Sequence, residues 1–325
     1  MFVFIVRRLL QSVVVLAVMS LIVFCGVYVV GNPVDILISP EADQAEIART
    51  MAALGLDKPL WEQYFNFVVG AFSGNLGRSF VYSISAVSLI FERMPATLEL
   101  VVAAMVIAIV IGIPLGLLAG LKPDSWIGKT IMTGSILGFS LPTFWVGLMM
   151  ILLFSVQLGW LPSNGRGPTQ NILGIQLSIF SLEGWRYLLM PAMNLALFKL
   201  SLITRLTRSG AREALLQDYV RFARAKGLSQ SRVIGVHVLK NIMIPIVTVI
   251  GLEFASTVAF AIVTESIFAW PGMGKLIIDS INVLDRTVIV AYLMIVVTLF
   301  IAVNLLVDIT YSVLDPRVRV GEGKA

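Results

Sequence analysis

The chain has very few of the residues that build disulfides, metal centres and water-soluble surfaces. Its 325 residues include one cysteine, Cys25, and one histidine, His237. A single cysteine excludes an intrachain disulfide and a cysteine metal cluster, and a single histidine limits histidine-based catalysis. Only 13% of the residues are charged, against about a quarter in soluble domains. These shortages exclude a secreted disulfide scaffold, a disordered tail and a cytosolic enzyme.

The residues that are abundant are apolar, and they occur in long runs. Hydrophobic residues make up 58% of the chain, and the mean hydropathy is +0.93. A helix needs about 20 apolar residues to cross a bilayer, so several spans fit. The first run exceeds a signal-peptide core in length and is predicted to be a retained membrane helix. We predict an all-α membrane protein with six spans: Leu9–Val30, Thr97–Leu121, Thr130–Leu158 (tilted or broken near Pro142), Tyr187–Thr204, Ile242–Ile267 and Val288–Ile309.

The distribution of basic residues predicts the orientation of these spans. Lys and Arg outnumber Asp and Glu by 24 to 19, and they concentrate at alternate span ends, above all in residues 205–241. Because Lys and Arg favour the cytoplasmic side, both termini and this loop are predicted to be cytoplasmic. The chain then divides into a tail with the first span (1–30), an external helical segment (31–95) and a five-helix core (96–325).

The external segment is predicted to contain two helices. Ser39 and Pro40 have the character of an N-cap and a first helical residue, and Gly55 that of a helix stop. Further on, apolar and aromatic residues recur at helical spacing: Trp61, Tyr64, Phe65, Val68 and Phe72. That face is expected to pack on the membrane or on other spans.

Glycines at four-residue spacing predict close helix packing inside the membrane. Gly112, Gly116 and Gly120 form one series, and Gly134 and Gly138 form another. Small residues on one face let two helix backbones approach closely, which matters where lipid offers no hydrophobic gain from association.

One acidic residue lies well inside a predicted span and keeps a second class of function open. Glu253 is in the fifth span, where an ionisable group is costly and usually serves a pathway or a partner. It is the candidate pathway residue, and it would suit a self-sufficient proton- or ion-coupled secondary transporter. An ATP-binding loop is not formed, because Pro123 replaces the glycine required before Gly128-Lys129-Thr130. A membrane-embedded enzyme is disfavoured, because no nucleophile motif occurs.

The basic loop carries the most informative motif. Residues 218–228 read DYVRFARAKGL, which predicts two short helices broken at Gly227, a residue that permits positive φ. Composition alone allows either a solvated loop touching anionic lipid or a docking element for another protein. The candidate docking residues are Asp218, Tyr219, Arg221, Ala223, Arg224, Ala225, Lys226, Gly227 and Leu228.

This loop resembles the cytoplasmic coupling loop of permease subunits of bacterial ABC importers, in the variant of the dipeptide/oligopeptide/nickel permease family. It keeps the general pattern at Ala223, Gly227 and Leu239, and departs from it at Arg221, Phe222, His237 and Lys240. The resemblance extends along most of the chain in collinear motifs: RRLL at 7–10, GLDKP at 55–59, GNLGRS at 74–79, RMPATL at 93–98, ESIFAWPG at 265–272 and DPR at 315–317.

The resemblance implies a division of labour among subunits. The chain would have the type I ABC importer permease fold, lie in the bacterial inner membrane as the first of two permeases, and form half of a path for peptides or related small solutes. Its partners would be a homologous second permease, two ATP-binding subunits and an external solute-binding protein, with no nucleic acid. ATP and Mg would bind the partner ATPases, and no cofactor would bind this non-catalytic chain. Ala223 and Gly227 would permit close docking, and Arg221 or Arg224 would contact acidic groups on the ATPase.

Overall fold

The computed structural model describes residues 2–30, 43–53 and 57–314, and nearly all of the regular structure in them is helical. The helices are α1 (Phe2–Val30), α2 (Gln44–Ala53), α3 (Leu60–Phe72), α4 (Ala86–Leu121), α5 (Trp126–Ser140), α6 (Thr143–Met150), α7 (Leu182–Leu215), α8 (Asp218–Ala225), α9 (Gln230–Ile267), α10 (Met273–Asn282) and α11 (Arg286–Leu314). A π-helical stretch, Ile151–Gln157, prolongs α6, and another, Val233–Leu239, lies within α9. One antiparallel hairpin pairs β1 (Gln170–Ile172) with β2 (Ile175–Leu177).

All six predicted spans have a counterpart among the described helices. Five helices are long and apolar enough to cross a membrane, and the sixth candidate is the pair Trp126–Ser140 and Thr143–Gln157, bent by 104°. The break falls at Leu141 and Pro142, where Leu141 is extended with ψ 133°. A residue before proline avoids the α region, and proline cannot continue the hydrogen-bond ladder. The predicted break near Pro142 is therefore confirmed.

The long loop predicted at 205–241 is wrong in its extent. Helix α7 continues to Leu215, and α9 already begins at Gln230, so only short connections flank α8. Hydropathy marks the part of a helix that lies in lipid, whereas Arg, Lys, Gln and Ala prolong a helix beyond it because they are good helix formers. The predicted helix break at Gly227 is confirmed. Sequence reasoning also missed α10, which follows the turn at Trp270-Pro271-Gly272.

The second helix predicted in the external segment is confirmed as α3. Its Tyr64 hydroxyl lies 2.9 Å from the Ser20 hydroxyl of α1, and its ring lies 5.3 Å from that of Phe24. Trp61 and Phe65 are exposed in this chain, so only part of the aromatic face packs on α1. Helix α2 corresponds to the first helix predicted in that segment. The predicted helix-end residues Ser39, Pro40 and Gly55 lie outside the described residues.

The chain forms two compact units. One comprises the chain up to Thr97 together with Pro271–Ile301, and the other comprises Leu98–Trp270 with the chain from Ala302. Within the first unit, Ser79 donates to the Asp285 carboxylate, and the same carboxylate accepts from the backbone N–H of Val288 at 3.3 Å. These bonds fix the connection before α4 against the start of α11.

The second unit contains the seam between α4 and α7, where the glycine pattern is confirmed as a packing device. A Cβ at Gly116 would collide with the Thr204 carbonyl oxygen, and one at Gly120 would lie 2.9 Å from the Ala211 Cβ. Gly138 of α5 packs on α7 in the same way, with the Ser201 Oγ 2.8 Å from a Cβ there. Gly134 differs, because a Cβ there would have no heavy atom within 4 Å among the described residues.

Candidate coupling and translocation sites

Helix α8 ends in a glycine cap that turns the chain back toward α9. Gly227 has φ +75°, the left-handed conformation that side chains with a Cβ rarely adopt. The Leu228 N–H donates to the Ala223 carbonyl at 3.3 Å, and the Gly227 N–H donates to the Arg224 carbonyl at 2.9 Å. This pair of bonds is the Schellman motif. The glycine is thus required by the turn itself, whatever docks beside it.

The inner face of α8 is anchored in a small apolar core. Val220 is fully buried and Ala223 is 4% exposed. They belong to one buried cluster whose other members come from α7 and α9: Ala211, Ala214, Val233, Val238, Ile242 and Ile246. The methyl group of Ala223 packs inside this chain, and the expectation that Ala223 permits close docking of a partner stays a prediction. The small size of Ala223 lets α8 lie close to α7 and α9.

The outer face of α8 is open and carries aromatic and basic groups. Phe222 is 62% exposed, and the Lys226 ammonium lies 4.6 Å from the centre of its ring. Arg221 lies 3.5 Å from the Asp218 carboxylate, with both side chains largely exposed. The remaining candidates Tyr219, Arg224, Ala225 and Gly227 are also exposed, and Leu228 is half-buried. The structure thus leaves an aromatic surface with basic groups around it available to a partner.

Glu253, the candidate pathway residue, has a cationic partner that sequence reasoning did not pair with it. The Lys199 ammonium of α7 donates to the Glu253 carboxylate of α9. The Ser256 hydroxyl bridges the two, at 3.1 Å from the Lys199 Nζ and 3.1 Å from the Glu253 Oε2. The Glu253 side chain is 24% exposed, and the Lys199 side chain is 10% exposed. This is a partly accessible ion pair within the membrane-spanning part of the second unit.

A second ion pair of the same unit is closed. The Glu99 side chain is fully buried, and its Oε2 accepts from the Arg166 Nε at 3.0 Å. Its Oε1 accepts from the backbone N–H groups of Ser178 and Ile179 at 2.7 and 2.6 Å, and from the Ser178 hydroxyl. Arg166 also lies over the Trp270 ring at 5.8 Å. Sequence reasoning missed this cluster, whose partners lie 67 to 80 residues from Glu99 along the chain.

We found no candidate metal site in the part of the chain that the structure describes. No group of three or more His, Cys, Asp or Glu side chains there is arranged to hold a metal ion.

The fold of the chain is similar to that of a solved ABC transporter membrane component. A solved inward-facing structure of the MetNI methionine ABC transporter superposes with a TM-score of 0.53 at 15% identity, covering 70% of this chain and 96% of that one. This likeness shows a type I ABC importer permease fold. Two family models also match: the inner membrane component of binding-protein-dependent transport systems over residues 112–320, and its N-terminal region over residues 1–101.

The chain belongs to the family of binding-protein-dependent transport system inner membrane components. It is 40% identical over 97% of its length to the di/tripeptide transport system permease DppB of Pseudomonas aeruginosa, covering 98% of that protein. It is equally identical to the dipeptide permease DppB of Escherichia coli K12, with the same coverage of both chains. The glutathione permease GsiC of Escherichia coli O6:H1 is 34% identical over 97% of this chain and 98% of its own.

Family membership fixes the general role of the chain. It is a multi-pass protein of the bacterial inner membrane and a non-catalytic permease subunit of an ABC importer. It acts with separate ATPase and substrate-binding subunits. The alternative of a self-sufficient secondary transporter is therefore set aside.

Proposed function

We propose that this chain forms half of the translocation path for small peptides. The relatives that support the proposal are named for di- and tripeptides, dipeptides and glutathione. These solutes share a peptide backbone with a free ammonium and a free carboxylate. The identity to these relatives extends over the whole membrane region, so it includes the helices that would line the path.

The complete importer would contain a homologous second permease, two ATP-binding subunits that hold ATP and Mg, and an external solute-binding protein. The concentration of basic residues in 205–241 supports a cytoplasmic location for α8 and for both termini. In that orientation the hairpin of β1 and β2 would lie on the external side. The division of the chain into 1–30, 31–95 and 96–325 follows from the same orientation.

The coupling element in this proposal is α8, and its two-sided construction is the observation that carries the assignment. The inner face is packed into α7 and α9, while the outer face exposes Tyr219 and Phe222 beside basic groups. An ATPase that grips the outer face would move α8 as a rigid body and carry the two attached spans with it. Arg221 or Arg224 would contact acidic groups on the ATPase. Asp218, Ala225, Lys226, Gly227 and Leu228 would shape the surface, and Ala223 would hold it on the core.

The direct test removes the exposed aromatic ring and leaves the anchor intact. In proteoliposomes that contain the whole importer and its binding protein, Phe222→Ala should lower peptide uptake at least about tenfold, because a central interface aromatic is worth about 2 kcal/mol. Folding should be unchanged, because Phe222 is exposed in this chain.

Trp126→Ala is the matched control, since Trp126 is 75% exposed and belongs to α5 rather than α8. Uptake by that variant should stay close to the parent. If Phe222→Ala transports as well as the parent, or if Trp126→Ala fails to the same degree, α8 is not the coupling surface.

A further inference from the structure

The ion pair between Lys199 and Glu253 is one end of a row of charged and aromatic groups. The Lys199 ammonium lies 5.2 Å from the centre of the Phe198 ring. That ring stacks on Phe139 of α5 at 4.6 Å, and the Arg205 guanidinium lies 4.9 Å from the centre of the Phe139 ring. We call this row, Glu253, Lys199, Phe198, Phe139 and Arg205, the charged strip.

Part of the charged strip lies within the membrane-spanning region. Glu253 lies inside the predicted span Ile242–Ile267 and Lys199 inside Tyr187–Thr204, whereas Arg205 directly follows the latter span. Charged groups at such depth face protein or a water-filled cavity and not lipid. Phe139 is nonetheless 41% exposed in this chain, and Glu253 is 24% exposed. The accessible part of Glu253 therefore faces protein or a water-filled cavity and not lipid.

Two groups of the strip could each form a further ion pair, one with a cation and the other with an anion. All hydrogen bonds to the Glu253 carboxylate from the described residues fall on Oε2, so Oε1 is open to a further donor. Arg205 has no carboxylate within salt-bridge distance in the described part of the chain, and its contact there is the Phe139 ring. An open anion and an unpaired cation are thus separated by two aromatic faces.

We propose that the charged strip binds the two ends of a peptide in transit. The peptide ammonium donates to the Glu253 Oε1, and the peptide carboxylate accepts from Arg205. Lys199 stays paired with Oε2. Arg205 lies about 9 Å along α7 from Lys199. Three extended residues span about 10 Å and two about 7 Å, so the long Arg205 side chain covers the remainder for a dipeptide. The aromatic rings between the charges accept the apolar side chains.

This inference rests on the proposed function, and it assigns selectivity to the permease as well as to the binding protein. It is tested on the purified importer without the binding protein, so that the binding protein does not filter the ligands. Equilibrium dialysis with radiolabelled alanyl-alanine measures the affinity. N-acetyl-alanyl-alanine and alanyl-alanine amide are the competitors, because each lacks one of the two charges.

The parent importer should bind alanyl-alanine about tenfold or more tightly than either competitor. Arg205→Gln should bind alanyl-alanine and its amide equally well, and Arg205→Lys should restore part of the preference for the free carboxylate. The double variant Lys199→Gln with Glu253→Gln removes both charges together, so no unpaired ion is buried. It should lose the preference for a free ammonium and keep the preference for a free carboxylate.

The inference is overturned if the parent importer binds no alanyl-alanine, or if these variants keep the parent preferences. Uptake of alanyl-alanine by the whole importer with its binding protein separates the two levels of the argument. If the parent importer takes up alanyl-alanine but the variants keep the parent preferences, only the role of the charged strip is contradicted. If the parent importer does not take up alanyl-alanine, the proposed peptide function is contradicted.

Discussion

Two regions of the second unit differ in how far their charged groups are buried and how closely their helices pack. The closed region consists of the Glu99 cluster and the glycine seam between α4 and α7. There the carboxylate accepts hydrogen bonds at both oxygens, and helix backbones touch. The open region consists of the charged strip and the outer face of α8, where ions and aromatic rings stay partly exposed. The contrast separates groups that hold the fold from groups that are free to bind.

The physical reason for the contrast is the cost of burying a charge. A buried carboxylate is tolerated only when opposite charge and hydrogen-bond donors replace the lost water. Arg166 and two backbone N–H groups do so for Glu99. Glu253 has a lysine and a serine hydroxyl on one oxygen, which leaves room for a ligand. Changes in the closed region should therefore cost stability, and changes in the open region should cost binding or coupling.

The largest loss of stability is expected at Glu99. Glu99→Gln removes the negative charge and leaves the buried Arg166 without its counter-ion, which should lower the free energy of unfolding by about 3–5 kcal/mol. Denaturant unfolding of the purified chain in detergent measures it. Replacing Glu253 and Lys199 together by glutamine should cost clearly less, because no buried cation is then left unpaired and the Glu253 side chain is 24% exposed. Equal losses at the two sites would erase the distinction between the regions.

A smaller loss is expected at the glycine seam. Gly116→Ala places a methyl group against the Thr204 carbonyl, and overpacking of this kind costs about 1–3 kcal/mol. Gly134→Ala is the matched control, because open space surrounds its Cβ position and alanine favours a helix over glycine by about 1 kcal/mol. Unfolding of the two variants in parallel should show opposite signs. A destabilised Gly134→Ala would mean that this helix face is also closely packed.

The smallest change in stability is expected at Gly227, where conformation and not space is limiting. Gly227→Ala should lose about 1–2 kcal/mol from the left-handed turn, while Gly227→Asn should lose less because asparagine tolerates that conformation. In each variant, peptide uptake should fall in proportion to the stability that the turn loses, so Gly227→Ala should be affected more than Gly227→Asn. Full uptake by Gly227→Ala, measured in proteoliposomes, would show that the cap after α8 is not needed for coupling.

The arrangement of the spans was predictable because it depends on local properties. Apolar runs of sufficient length predicted the helices, and proline chemistry predicted the break at Pro142. The ends of the helices were not predictable from hydropathy, since α7 and α9 continue as polar helices into the predicted loop. The surface of α8 was predicted in position, but the burial of Ala223 depends on packing against α7 and α9.

The ion pairs of Glu99 and Glu253 show that the pairing of charged residues could not be predicted from the sequence. Lys199 and Glu253 were each visible as ionisable residues inside spans, but their pairing joins positions 54 residues apart. Arg166 is 67 residues from Glu99 along the chain, and only the fold brings the two together. Pairing of this kind depends on which helix faces meet, and a single sequence carries no direct signal for it.

The central claim, that the outer face of α8 docks on the ATPase, is tested most directly by site-specific cross-linking. A photoreactive phenylalanine analogue is placed at Phe222 or, as the control, at Leu173, which is 99% exposed in the hairpin between β1 and β2. After irradiation of intact membranes, mass spectrometry identifies the captured subunit. We predict the ATP-binding subunit at position 222 and not at position 173. Its absence at 222, or its capture at 173, would contradict both the docking surface and the proposed orientation.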